Sequence, residues 1–217
     1  MTLLLALALL GDDAARAKEL LEAAAAALKD APAVAFECRT QWKGVDFSQK
    51  MTVRLKRPNL ARIESGGDDT EYVYVLDGTA LWVHLKASNQ YLRTTRPAGV
   101  FESLGVGPFT TIFFGTPADV LRNASGITVR DERSGEERLE VVGWATTSGE
   151  CRLWIDAKKG VRRYELRMKV NAETYEQNVD YLKVDTQPKF ADDLFVFTPP
   201  KDAREIRAAD EPVDAPD

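Results

Sequence analysis

After Pro32 the apolar residues of this chain change their spacing from a helical period to a period of two, and they keep it almost to the end. A chain that alternates over so long a stretch is built to form one large antiparallel sheet, because no helical pattern intervenes to make the crossovers of a parallel one. Phe36, Cys38, Thr40 and Trp42 alternate with Glu37, Arg39 and Gln41, and Met51, Val53 and Leu55 with Thr52, Arg54 and Lys56. Val73 and Val75 lead through Leu76-Asp77-Gly78-Thr79 into Leu81, Val83 and Leu85. Asp-Gly between two alternating runs is a strong hairpin signal. Leu139/Val141, Cys151/Leu153/Ile155, Tyr164/Leu166/Met168/Val170 and Tyr175/Gln177/Val179/Tyr181 continue the pattern, with Ser134-Gly135, Ser148-Gly149 and Lys159-Gly160 as turns. Roughly ten or eleven strands result, and a sheet that wide must curl.

Two helices are expected beside the sheet. Asp12 to Asp30 is alanine-rich, with Leu20, Leu21, Ala24 and Leu28 at helical spacing, Asp12 and Asp13 suited to the positive end, and Pro32 beyond the stop. Its leucine stripe must lie on something apolar. A short second helix starts at Thr116-Pro117-Ala118-Asp119, a capping threonine with proline at the first helical position and an acid at the third, and carries Val120 and Leu121. Before it lies the most aromatic stretch of the chain, Val100-Phe101 through Phe109-Thr110-Thr111-Ile112-Phe113-Phe114, broken by Gly105, Gly107 and Pro108.

Residues 2–10, Thr-Leu-Leu-Leu-Ala-Leu-Ala-Leu-Leu, are too few to span a bilayer and match the apolar middle of a secretory signal. The expected organisation is a signal segment over 1–11, one domain over 12–206 and an acidic, Pro-containing tail over 207–217, with export to the periplasm as a soluble protein. In an oxidising compartment Cys38 and Cys151 are an even pair; they either bridge or lie apart as two small core thiols.

Charge and composition remove several function classes. Lys plus Arg number 29 against 34 Asp plus Glu, a net charge of −5 that disfavours nucleic acid and anionic surfaces. One histidine and two cysteines leave no four-ligand His/Cys zinc site, so neither metal nor cofactor is expected. His84 falls on the polar phase of its strand with Trp82 and Lys86 and reads as a surface residue. The acidic pairs Asp68-Asp69, Asp131-Glu132, Glu136-Glu137 and Asp192-Asp193 read as solvated turns, because a catalytic acid needs surroundings that shift its pKa. No phosphate loop, nucleophile elbow or His-Glu-x-x-His occurs. A non-enzymatic protein is expected.

Three segments are more specific. Leu55-Lys56-Arg57-Pro58-Asn59-Leu60 closes an early strand, Leu76-Asp77-Gly78-Thr79-Ala80-Leu81-Trp82 forms the next hairpin, and Phe195-Val196-Phe197-Thr198-Pro199-Pro200 stands near the end. Together, with Leu153-Trp154-Ile155-Asp156 before Lys159-Gly160-Val161, they resemble the LolA family of periplasmic lipoprotein carriers, in order and spacing from the first helix to Pro200. The resemblance implies a mainly β fold, an incomplete antiparallel β-barrel with helices as a lid over an apolar cavity for lipoprotein or lipid acyl chains. It also implies a monomer that meets an inner-membrane releasing complex and an outer-membrane acceptor. The family's Lys-Arg-Pro arginine ties the lid to the barrel through lid carbonyls, and Arg57 stands at that position. The chain departs from the family at Ala61, where an aromatic residue is usual, and at the next alternate position, Ile63.

Strand phase then names the expected cavity lining: Phe36, Trp42, Val53, Leu55, Val73, Val75, Leu81, Val83, Leu153, Ile155, Leu166 and Met168. Leu20, Leu21, Leu28 and Leu121 are expected on the lid. An alternative on the same fold is an envelope sensor or protein-interaction module without lipid cargo.

Overall fold

In a computed structural model of the protein, residues 3–44, 47–66, 71–95, 106–158, 160–171, 173–191 and 193–206 are described. Helix α1 (Leu3–Lys29) precedes strands β1 (Ala33–Lys43), β2 (Phe47–Lys56), β3 (Leu60–Gly66), β4 (Tyr72–Asp77), β5 (Leu81–Leu85) and β6 (Gln90–Thr94). Two short helices follow, α2 (Phe109–Phe114) and α3 (Pro117–Val120). The chain then forms β7 (Ser125–Ser134), β8 (Glu137–Thr146), β9 (Gly149–Asp156), β10 (Gly160–Val170), β11 (Glu173–Asp185) and the two-residue β12 (Arg204–Glu205).

All twelve strands belong to one sheet in the order β12-β6-β5-β4-β3-β2-β1-β11-β10-β9-β8-β7. It is two meanders, β1 to β6 and β7 to β11, joined where β1 meets β11, so the first and last long strands pair at the centre. Neighbours are antiparallel except β12, which runs parallel to β6. The sheet is open, with β12 and β7 at its edges. It is also curled. One buried cluster takes Leu81 and Val83 from β5 and Val142 and Trp144 from β8. In a flat sheet those strands would stand ~38 Å apart at the usual inter-strand spacing.

The concave face is filled from above. Ala17, Leu21, Ala25 and Leu28 of α1 are buried in the same cluster as Phe36, Met51, Val53, Leu55, Ile63 and Leu153. Each leucine so placed contributes about 1.5–3 kcal/mol. α1 runs back to Leu3, so Asp12 and Asp13 lie within the helix rather than at its start. The expected cap of α3 is present: Asp119 Oδ2 accepts from the Thr116 backbone N–H at 2.7 Å and from its hydroxyl at 2.9 Å. Of the aromatic segment expected only as a compositional outlier, residues 109–114 form α2, whose Phe109, Ile112 and Phe113 are buried, and residues 100–105 lie outside the described residues.

The convex face is covered at one end by the chain after β11. Phe197 stacks on Trp82 with ring centroids 5.3 Å apart, and Arg62 Nη1 donates to the Leu194 carbonyl at 3.4 Å. Arg204 and Ile206 donate their N–H groups to the Asn89 and Tyr91 carbonyls, which lays this strap along β6. The three sequence segments that carry the resemblance thus form one unit. Asn59 Nδ2 donates to the Gly78 carbonyl at 3.0 Å, joining the β2–β3 and β4–β5 turns, and Trp82 joins the second turn to the strap.

Of the two arrangements left open for the cysteines the structure takes the second, so the possible bridge falls: Cys38 and Cys151 are free and buried. They sit on β1 and β9 with β11 and β10 between them, ~14 Å of strand spacing where a bridge tolerates less than about 7 Å. His84 is buried rather than on the surface, because the strap covers its face of β5; its Nε2 lies 3.3 Å from Asn89 Oδ1. Asp131 and Glu132 lie within β7 rather than in a turn.

Candidate functional site

Arg57 stands just past β2, at the head of the turn into β3, and reaches across to the end of α1. Its Nε donates to the Ala31 carbonyl and its Nη2 to the Leu28 carbonyl, both at 3.2 Å, while the guanidinium carbon lies 4.6 Å from the centre of the Phe113 ring. The last carbonyls of a helix have no partner within the helix and form its negative end, so a forked cation is well matched to them. One side chain therefore holds α1, α2 and the sheet together.

Beneath that seam α2 is seated in the concave face. The Phe109 ring lies 4.4 Å from Phe36 and 5.4 Å from Tyr181, measured between centroids. Tyr181 Oη donates to the Val106 carbonyl at 2.7 Å, fixing the entry to the helix. Gly107 makes this approach feasible. Its φ is +65°, and a Cβ there would come within 2.6 Å of Tyr181 Oη and 2.8 Å of Tyr164 Cδ1.

Of the residues expected to line a cavity, Phe36, Val53, Leu55, Leu81, Val83, Leu153 and Ile155 lie in this buried cluster, and Leu166 packs against it. They share it with Phe109, Ile112 and Phe113 of α2. Trp42 and Met168 are half-buried and lie outside the cluster. Val73 and Val75 are on the other face. They pair directly with His84 and Trp82, which the strap covers, while Tyr72, Tyr74 and Leu76 of the same strand face the cluster. Both phases of β4 are apolar, so alternation did not reveal which one turns inward. Leu21 and Leu28 of the expected lid are buried, and Leu20 and Leu121 pack against the cluster's edge. Sequence reasoning missed α2; its Phe109, Ile112 and Phe113 spacing, i, i+3, i+4, was the available signal.

The apolar interior reaches the surface in a groove of about 560 Å³ between α1 and the β9–β11 end of the sheet. Leu20, Ala24, Leu28, Phe109, Ile155 and Val161 form its apolar part. A second recess of about 530 Å³ lies over the Arg57 seam, between α1 and the α2–α3 pair.

The arrangement presents an apolar surface, and its displaced acids favour the ionised form: Arg138 beside Asp131 and the Thr116 N–H on Asp119 push their pKa values down, not up. Burial pushes the Cys38 thiol up to about 12, so it is no nucleophile near neutrality. Among the described residues no three His, Cys, Asp or Glu side chains lie together as metal ligands. Nor is any helix among them long and apolar enough to cross a membrane.

An open, curled antiparallel sheet whose apolar concave face is plugged by helices defines a class of mainly β fold. Within that class the chain belongs to DUF2092, described as a predicted periplasmic protein family, whose model matches residues 17–209. That assignment places it in the periplasm. No curated protein matches the sequence. Among solved structures it is similar to an uncharacterized conserved protein from Thermus thermophilus, at 12% identity and TM-score 0.60, over 89% of this chain and 99% of that one. It is also similar to a LolA superfamily protein from Nitrosomonas europaea, at 13% identity and TM-score 0.41, over 83% and 97%.

Proposed function

We propose that the protein is a periplasmic carrier that shelters acyl chains of lipids or lipoproteins against the concave face and moves them towards the outer membrane. The observation that carries this reading is the closure itself. An apolar interior is sealed by a six-residue helix and one face of α1, and a single arginine spans the seam. In the same proposal the apolar run over 2–10 is removed on export and the carrier acts as a monomer.

Magnitudes support a reversible carrier. A sixteen-carbon chain moved from water into apolar surroundings gains about 12 kcal/mol. Displacing Phe109, Ile112 and Phe113 costs about 5–9 kcal/mol, and breaking the charged hydrogen bonds of Arg57 costs about 1.5–3 kcal/mol. Gain and cost come within a few kcal/mol of each other, so the closed state offsets most of the chain's affinity and release is feasible. The test is mass spectrometry of lipid extracted from protein purified out of the periplasm, with titration of a fluorescent acyl probe into delipidated protein. Copurifying acyl lipid and saturable probe binding are expected; absence of both overturns the carrier. The edge of β7, paired only to β8 among the described residues, favours a second reading as a module that adds a partner's strand. That reading expects a stable protein complex and no lipid.

A further inference from the structure

We infer that the groove between α1 and the β9–β11 end of the sheet takes a single-chain amphiphile with a monoanionic head, a long-chain fatty-acid carboxylate, and that Arg162 receives the carboxylate. The inference rests on the carrier reading and adds the chemistry of the cargo.

Two of the sheet's three register irregularities lie at this groove, the third being between β7 and β8 at Ser125–Thr128. Between β9 and β10 the register slips around Arg162, with Val161 opposite Ile155 and Arg163 opposite Trp154. Between β1 and β11 it slips again, with Glu37 opposite Leu182 but Ala35 opposite Asp185, and Lys183 there has a φ of +46°. A bulge re-aims a side chain out of the alternation that a regular strand would impose. Two bulges on adjacent strands thus bring Arg162 and Lys183 to the wall of one apolar groove.

The charges of the groove are not equally engaged. Glu140 is ion-paired to Arg16, Lys183 donates to Glu37 at 3.0 Å, and Asp156 Oδ1 accepts the Lys158 N–H at 2.8 Å. Arg162 is half-buried and lines both this groove and a recess of about 240 Å³ that it shares with Glu132, Glu137 and Asp180, and its guanidinium makes no hydrogen bond or ion pair to the described residues. Groove-lining Lys158, Arg162 and Lys183 against Glu140 and Asp156 leave one positive charge in excess. That complements a monoanion, and a guanidinium fork matches a carboxylate in two parallel hydrogen bonds. The groove, about 560 Å³, is within the ~300–1,000 Å³ range of small-ligand sites and suits one chain. With the carboxylate at Arg162, the chain would lie along Leu28, Val161 and Ile155 and enter beside Phe109.

The test compares dodecanoate with 1-dodecanol, an uncharged probe of the same chain length, by calorimetric titration into delipidated protein at pH 8. Wild type is expected to bind dodecanoate ~10-fold more tightly than the alcohol, and less so as salt is raised. Arg162→Gln is expected to abolish the preference while leaving alcohol binding unchanged, and Arg162→Lys to restore part of it. Equal binding of both probes by wild type, or an equal loss of both in Arg162→Gln, overturns the head-group assignment and leaves the carrier standing. Tighter binding of a twelve-carbon lysophosphatidylglycerol overturns the carboxylate in favour of a phosphate head. If no probe binds, both the inference and the carrier reading fall.

Discussion

Arg57 shows how much one residue decides here, because its single side chain reaches α1, α2 and the sheet at one seam. We expect Arg57→Leu to lower stability by about 1.5–3 kcal/mol, the worth of hydrogen bonds to a charged group, while raising acyl-probe affinity and slowing probe release. The opposite signs separate a latch from a merely structural arginine. Unchanged affinity and release rate in stopped-flow displacement would show that Arg57 is no latch. Asp77 is decisive in a different way. Burial opposes its charge, but hydrogen bonds from the Trp82 indole and the Ala80 and Thr79 N–H groups hold its pKa at about 2. Its folded value is below the unfolded value of about 3.9, so the stability it confers is complete above that pH and lost as pH falls towards 2. Asp77→Asn is therefore expected to lower Tm at pH 7 and to flatten the fall in Tm between pH 4 and pH 2, as thermal melts would show. Both residues were legible in the sequence, Asp77 from its Asp-Gly turn and Arg57 from the family motif. Arg162 was not singled out, although the three-residue step from Val161 to Tyr164, which breaks the period of two, was the available mark of the bulge.

At the scale of elements, the carrier reading makes α2 the part whose seating controls access to the interior. Its approach depends on Gly107, where a side chain would meet the Tyr181 hydroxyl and the Tyr164 ring and the backbone has a positive φ. Gly107→Ala is expected to cost about 1–3 kcal/mol in urea denaturation and to speed hydrogen exchange in 109–114 above that of β1. Equal exchange in both elements would show that α2 is not separately mobile. Strand existence was readable wherever one phase was apolar and the other polar, as in β1 and β2. In β4 the strand was readable but its inward phase was not, since Val73 and Val75 compete with Tyr72 and Tyr74, and β12, two exposed residues held by β6 alone, was hard to read at all.

For the whole molecule, the carrier reading couples ligand to global stability and local opening in opposite directions. Saturation with dodecanoate at 100 times its Kd is expected to stabilise the fold by about 2.7 kcal/mol through mass action. Differential hydrogen exchange is expected to show faster exchange in α2 and slower exchange in β1 and β2. A ligand that protects α2 as well would mean that the chain binds without displacing it. Local pattern in the sequence was enough to establish an antiparallel sheet, the amphipathic α1 and the capped α3, because periodicity, turn residues and caps act between neighbours in the chain. Tertiary structure alone decided that β1 pairs with β11, that the strap buries His84, Val73 and Val75, that α2 fills the concave face, and that two strands separate the cysteines. Each of these depends on which distant surface an apolar face finds, and burial is rewarded by contact in space without regard to separation along the chain.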